Sequence, residues 1–265
     1  MITSDFNKKR GLGLAQAFHT LSILPLPGPD AKCEATQLYF YPFVGLVISS
    51  IFALVLNYVP FCQKAQSNLP LSLVLGFLWP SWMAFITRGF HLDGLADTAD
   101  GFGGGWTVER RLEIMKDSRS GSFGVIAIVL CLMLKAIFAS VIIYQGLSLV
   151  LIWTCIVSRT LVVFTCSVSK YAKPQGLSYN LVSYAKATHS VFAFAFTAFC
   201  GFCFAYCFDV TLKTLLSSFL LPFINCLGLL LLSNKKIGGV TGDVLGAMCE
   251  VCEVASLFGA AVLLF

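Results

Sequence analysis

Residues 91–101 read HLDGLADTADG and place three aspartates, Asp93, Asp97 and Asp100, at spacings i, i+4 and i+7. On a helix these fall within an arc of about 60°. Three carboxylates so close repel one another, and the stretch before them, LSLVLGFLWPSWMAFI, is strongly apolar. Carboxylates beside such a segment are costly unless something positive sits among them. A hard divalent cation answers that need. Mg²⁺ takes one or two carboxylates and leaves its other positions to water and substrate phosphates.

The chain continues GFGGGWTVERRLEIMKDSRSGSFG. Gly101, Gly103, Gly104 and Gly105 predict a flexible turn whose backbone N–H groups can approach a phosphate. Arg110, Arg111, Lys116 and Arg119 add positive charge, and Asp117 is a fourth carboxylate, free for chemistry or tied to Arg119 or Lys116. VERRLEIMKD has the pattern of a short amphipathic helix, with Val108, Leu112 and Met115 on one side. Carboxylates, glycines and guanidinium groups together describe a site for a metal and a diphosphate.

Two further constellations are polar where their surroundings are not. In KKIGGVTGDVLGAMCE (235–250), Gly238, Gly239 and Gly242 predict a tight turn, with Thr241 and Asp243 where a helix begins. Asp243 either caps that helix or holds a metal or a hydroxyl. Glu250, seven residues on, lies on the same face and deeper, which makes it a functional candidate. Ser158–Arg159 stands near the end of another apolar run. Arg159 either grips a phosphate through two N–H groups or snorkels to an interface. His91 adjoins Asp93 as a hydrogen-bonding or orienting residue; His19 and His189 receive no role.

These residues must be positioned by membrane helices. The 265 residues are 57% hydrophobic and 12% charged, with mean hydropathy +0.84. Soluble domains carry about a quarter charged residues. Apolar runs at about 38–60, 69–90, 121–143, 147–166, 189–208, 213–233 and 243–265 each approach the roughly 20 residues of a spanning helix. The expected fold is all-α: a polytopic integral membrane bundle of about 6–7 transmembrane helices plus short interfacial helices, in one domain covering 1–265. Residues 1–29 suggest an amphipathic or re-entrant helix more than a removed leader. Most of the 11 cysteines lie inside apolar runs and suit helix packing better than zinc.

Basic residues concentrate in the N-terminal, 88–119, 159–186 and 234–242 regions. The alternate loops hold only Lys64 and Lys213, and Lys135 falls within a span. The basic regions are therefore expected to face the cytoplasm, and every polar constellation falls on that side. The net charge of +5 reports topology, not nucleic-acid binding.

GFHLDGLADTADGFGGGWTVERRLEIMKDSRSGSFG closely resembles the signature of the cobalamin synthase (adenosylcobinamide-GDP ribazoletransferase) family. YPFVG (41–45), Ser158–Arg159, YAKPQGL (171–177) and GGVTGDVLGA (238–247) extend the resemblance over nearly the whole chain. One departure is Ser22–Ile23–Leu24–Pro25, where family members commonly carry Thr-Arg before Leu or Ile and Pro. The resemblance implies an Mg²⁺-dependent enzyme of the bacterial inner membrane. It would join adenosylcobinamide-GDP to α-ribazole (or its 5′-phosphate), release GMP and give adenosylcobalamin (or its 5′-phosphate).

On that reading Asp93, Asp97 and Asp100 hold one or two Mg²⁺ on the diphosphate. Arg119 and Arg159 stabilise the phosphoryl oxygens, and Asp117 or Asp243 accepts the ribose proton. His91, Gly103, Gly104, Arg110, Arg111, Lys116, Ser158, Gly239 and Thr241 line the substrate site. The expected partners are the two substrates and the lipid bilayer, with no nucleic acid. Oligomeric state stays open, a homo-oligomer included. Two other readings are weaker. A CDP-alcohol phosphotransferase would need a different spacing after Asp93–Gly94, and a cation or corrinoid transporter would place its polar residues near the midplane.

Overall fold

The computed structural model describes residues 13–24, 26–27, 34–208 and 210–263. Residues 13–21 are helical, and a 3₁₀ turn, Ala35–Phe40, runs into α1 (Tyr41–Tyr58). There follow α2 (Leu69–Ile86), α3 (Phe90–Gly104), α4 (Val108–Ile114), α5 (Ser122–Tyr144) and α6 (Val150–Val168). The last three long helices are α7 (Ala187–Cys207), α8 (Leu212–Ile237) and α9 (Gly242–Val262). Seven helices are long and apolar enough to cross a membrane: α1 with its 3₁₀ lead-in, α2, α5, α6, α7, α8 and α9. They coincide with the seven apolar runs. The second run is shorter than its hydropathy suggests, because the chain turns at Thr87–Gly89 before α3.

Burial divides the seven into centre and ring. The spanning windows of α6 and α9 are 89% and 83% buried, whereas those of the other five range from 28% to 44%. Composition explains the division. Lipid tails are as apolar as leucine, so helices associate in a membrane through close backbone approach and polar contacts between them. The α9 sequence GDVLGAMCEVCEVASLFGAAV is rich in Gly, Ala, Ser and Cys. Ser217 Oγ donates to Gly259 O at 2.7 Å and Ser256 Oγ to Ser218 O at 2.6 Å, tying α8 to α9. Trp153 Nε1 donates to Ser218 Oγ at 2.9 Å and ties α6 to α8. The ring helices turn Leu, Phe and Ile outward, among them Phe77, Ile126, Phe199 and Leu231.

The connections sort to two ends of the bundle. At one end Ser67 N donates to Tyr144 O at 3.0 Å, joining the α1–α2 and α5–α6 connections. At the other, Ala172 N donates to Val240 O at 2.9 Å and Val240 N to Lys170 O at 2.8 Å. Arg111 Nη1 donates to Lys236 O at 2.8 Å, and Lys236 Nζ to Phe102 O at 3.0 Å. The segments around 102–111, 170–173 and 236–243 therefore form one polar end. They are the basic segments that the sequence grouped together.

Candidate functional site at the polar end

Helices α3 and α9 meet through two glycines. A Cβ at Gly94 would stand 2.7 Å from the Asp243 carbonyl oxygen, and one at Gly246 would stand 3.2 Å from that of His91. A Cβ at Gly94 would force the helices apart, and one at Gly246 would crowd them. Gly94 lies between Asp93 and Asp97 in the chain, so the contact carries both to the first turn of α9, where Asp243 sits. Asp93 is exposed, Asp97 half-buried and Asp100 buried. Burial, then the charges of Asp93, Asp243 and Asp100, push the Asp97 carboxyl up from its ordinary 3.8 to about 7, against a smaller opposing pull from Lys173. Lys173 Nζ lies 3.7 Å from Asp243 Oδ2. The helix cap is Thr241, whose Oγ1 accepts from Val244 N at 3.3 Å and donates to Asp243 Oδ2 at 3.1 Å. Asp243 is thus not consumed by capping.

Asp100 departs from the expected metal set. Its two oxygens accept from Gly121 N at 2.7 Å and Gly124 N at 2.9 Å. Gly121 is the N-cap of α5 and has no side chain to do this itself. Asp100 therefore satisfies the orphan N–H groups of a neighbouring helix, where a negative charge also meets the helix dipole favourably. Among the described residues no three His, Cys, Asp or Glu side chains are gathered closely enough to hold a metal by themselves.

The glycine loop is also corrected. Gly101, Gly103 and Gly104 continue α3 as helix, so their backbone N–H groups are committed within it. They serve packing: a Cβ at Gly103 would meet the Phe123 ring at 2.8 Å, and Gly101 lies against Met115 and Arg111. The arginines expected around a phosphate are largely engaged. Arg110 pairs with Glu113 at 2.7 Å on the surface, and Arg111 donates to Gly105 O at 3.0 Å as well as to Lys236 O. Lys116 is exposed beyond α4. Arg119 gives Nε and Nη2 to the two oxygens of Asp117, at 3.0 and 2.7 Å. That exposed pair holds the Asp117 carboxyl down at about 2. Gly239 packs on the Lys170 carbonyl, and Thr241 is fully buried as the cap. Both build the turn.

Arg159 neither snorkels nor reaches the surface; it is 1% exposed. Its Nη1 pairs with Glu253 and donates to Ser158 Oγ at 2.9 Å. Its Nε and Nη2 have no hydrogen-bond partner among the described residues. This free edge is the fork that fits a carboxylate or a phosphate. It borders a small cavity of about 30 Å³, shared with Thr20, Tyr41, His91, Ser178 and Cys249. His91 Nδ1 is likewise without a partner among the described residues. Glu250 is not a lone carboxylate: Lys135 Nζ lies 2.7 Å from it and also pairs with Glu253. Cys131 Sγ donates to Glu250 at 3.4 Å. Two cations and two carboxylates thus close a buried network across α5, α6 and α9.

A larger cavity of about 770 Å³ shares Thr20 and Phe90 with the small one, and its wall includes His19, Ser22, Arg88, Asp93 and Leu177. Of these residues, Asp93 alone was singled out for chemistry in the sequence. His19 Nε2 bonds Leu26 O at 2.9 Å. Ser22 of the departing segment stands on this wall, and Ile23 N donates to Ile86 O at 2.8 Å. Position 25 and residues 1–12 lie outside the described residues.

The fold and site define a polytopic membrane protein with an acidic, partly neutralised cleft at one end of its bundle. A sequence model of the cobalamin-5-phosphate synthase family matches residues 13–261, and the chain belongs to that family. It is 39% identical over 253 residues to an adenosylcobinamide-GDP ribazoletransferase of Chlorobium chlorochromatii (strain CaD3), covering 95% of this chain and 96% of the relative. A protein of the same name from Syntrophobacter fumaroxidans is 36% identical over 253 residues, covering 94% and 97%. One from Prosthecochloris aestuarii is 36% identical over 262 residues, covering 96% and 98%. No solved structure matches the chain.

Proposed function

We propose that the chain joins adenosylcobinamide-GDP to α-ribazole (or its 5′-phosphate) in the bacterial inner membrane, with the polar end facing the cytoplasm. The observation that carries this reading is the convergence of Asp93, Asp97 and Asp243 across the α3–α9 contact, with Asp97 pushed to about 7 by burial and then by the neighbouring carboxylates. A ribose hydroxyl attacks the phosphorus next to the corrinoid arm. The bond from that phosphorus to the bridging oxygen breaks, and GMP leaves with the oxygen. The product is adenosylcobalamin (or its 5′-phosphate), which completes nucleotide-loop assembly in cobalamin biosynthesis.

The donor set suits Mg²⁺, which uses few carboxylates and completes its shell with phosphate oxygens and water. Asp93 and Asp97 would hold it; Asp100 and Asp117 are committed elsewhere. When bound, the ion neutralises charge on the diphosphate. Asp243, oriented by Thr241 Oγ1 and Lys173, accepts the hydroxyl proton. The free edge of Arg159 supplies a fixed positive group beneath the cleft, held in place by Glu253. The transfer asks mainly for alignment and charge stabilisation, and the groups around this cleft supply both. The direct test is GMP release from adenosylcobinamide-GDP, which should require added α-ribazole. Release without it, or none with it, would refute the assignment.

A further inference from the structure

Three residues turn the chain from α2 into α3. Thr87 closes α2, with Oγ1 donating to Met83 O at 2.7 Å. Gly89 has φ +66, which glycine adopts freely, but Arg88 has φ +56. Among the described residues only Arg88 and Ser67 take positive φ without being glycine, and Ser67 belongs to the opposite end of the bundle. A side chain with a Cβ is disfavoured in this conformation and glycine is not. Strained positions of this kind collect at functional sites when surrounding structure holds them.

Packing gives no reason for the arginine. Arg88 is exposed, and the salt bridges among the described residues do not include it. Its backbone is held firmly: Arg88 N donates to Phe85 O at 3.1 Å, and Gly89 N to Ala84 O at 2.7 Å. Ile23, whose N–H donates to Ile86 O, braces the same turn. The side chain stands on the wall of the larger cavity with Asp93. Among the described residues lining that cavity Arg88 is the only arginine or lysine. Ile23 brings no charge, His19 is bonded to Leu26 O, and Lys173 is drawn toward Asp243.

We propose that Arg88 is a substrate-binding residue whose guanidinium takes non-bridging oxygens of the diphosphate. It does so from the α2–α3 turn, while the α3 carboxylates would hold the cation that neutralises the same group. The planar fork suits two phosphate oxygens at once. This rests on the reading that the cavity receives a nucleoside diphosphate ester.

The test compares wild type, Arg88→Gly and Arg88→Lys in detergent or nanodiscs. Calorimetry would follow binding of adenosylcobinamide-GDP at two salt concentrations, beside thermal unfolding and GMP release. Arg88→Gly should unfold at the same or a higher temperature, because glycine suits φ +56. It should bind the corrinoid nucleotide about ten- to a hundredfold more weakly, with a smaller salt dependence. KM should rise by a similar factor while kcat changes less. Arg88→Lys should recover part of the binding. Equal affinity in wild type and Arg88→Gly overturns the proposal, whatever the turnover. If wild type binds the nucleotide but α-ribazole elicits no GMP, the proposed reaction fails, and the binding ratio still judges Arg88. If wild type does not bind it, both fail.

Discussion

At its first turn α9 carries the partly exposed Asp243 at the polar end, and two to three turns deeper it offers Glu250 and Glu253 to the bundle interior. The deep carboxylates meet Lys135 and Arg159 directly, so two negative charges face two positive ones. At the cleft, the ion pair among the described residues is Lys173 with Asp243, Arg88 shares a cavity wall with Asp93, and burial with the neighbouring carboxylates pushes Asp97 to about 7. The α9 carboxylates therefore divide into a neutralised deep pair that builds the protein and a shallow Asp243 that joins Asp93 and Asp97 of α3 in an under-neutralised set. Burial demands pairing, because an isolated charge away from water is too costly to keep. Partial exposure tolerates excess charge, and on the proposed reading that excess would recruit a cation and its phosphate.

Breaking the deep set should cost the most. Lys135→Met leaves Glu250 and Glu253 short of a partner, and breaking a buried pair this way costs about 3–5 kcal/mol. Thermal unfolding in detergent should show a large drop in midpoint, or little folded protein. Asp97→Asn should act in the opposite way. It should lower ribazole-dependent GMP release by about 10²–10³-fold, yet leave the unfolding midpoint unchanged or raised. A fall in stability comparable to that of Lys135→Met would erase the distinction between the two sets.

Gly94→Ala probes the contact that assembles the cleft. Its Cβ would stand 2.7 Å from the Asp243 carbonyl oxygen, and overpacking of this kind costs about 1–3 kcal/mol. Activity should fall further than stability, because the carboxylates of α3 and α9 move apart. Asp117→Asn should do least, changing GMP release by no more than about twofold, since its partner is an exposed arginine.

The pH dependence follows from Asp97, whose folded pKa of about 7 lies above its ordinary 3.8. Between these values the folded state holds the proton that the unfolded state releases, so unfolding releases it. The contribution of Asp97 to stability is thus full below about pH 4 and declines as pH rises toward 7. Metal-free protein should show this decline in its unfolding midpoint. Mg²⁺ should offset it near neutrality, and Asp97→Asn should remove both effects. Asp117, held at about 2, should add no titration over the same range.

Much of the fold was legible because it follows from one-dimensional rules. Seven apolar runs of spanning length became seven long helices, and the distribution of lysine and arginine grouped the segments that the structure joins at one end. HLDGLADTADG was legible as a helix, but the fates of its aspartates were not. Asp100 is claimed by the bare N-terminus of α5, more than twenty residues away, and no local pattern reports that. Gly101, Gly103 and Gly104 suggested a loop by composition, and packing against Met115 and Phe123 kept them helical. Glu250 looked solitary because Lys135 reaches it from a helix 115 residues earlier. Arg88 was counted only as a cytoplasmic charge, since its backbone conformation and cavity emerge only from the turn.

The central claim is that the under-neutralised cleft is a seat for Mg²⁺ and a diphosphate. GMP release by wild type and Asp97→Asn, titrated with Mg²⁺ in the presence of α-ribazole, tests it most directly. The account predicts Mg²⁺-dependent release by wild type and a variant that needs far more Mg²⁺ and stays slow at saturation. Wild-type rates from Asp97→Asn at limiting Mg²⁺ would contradict it.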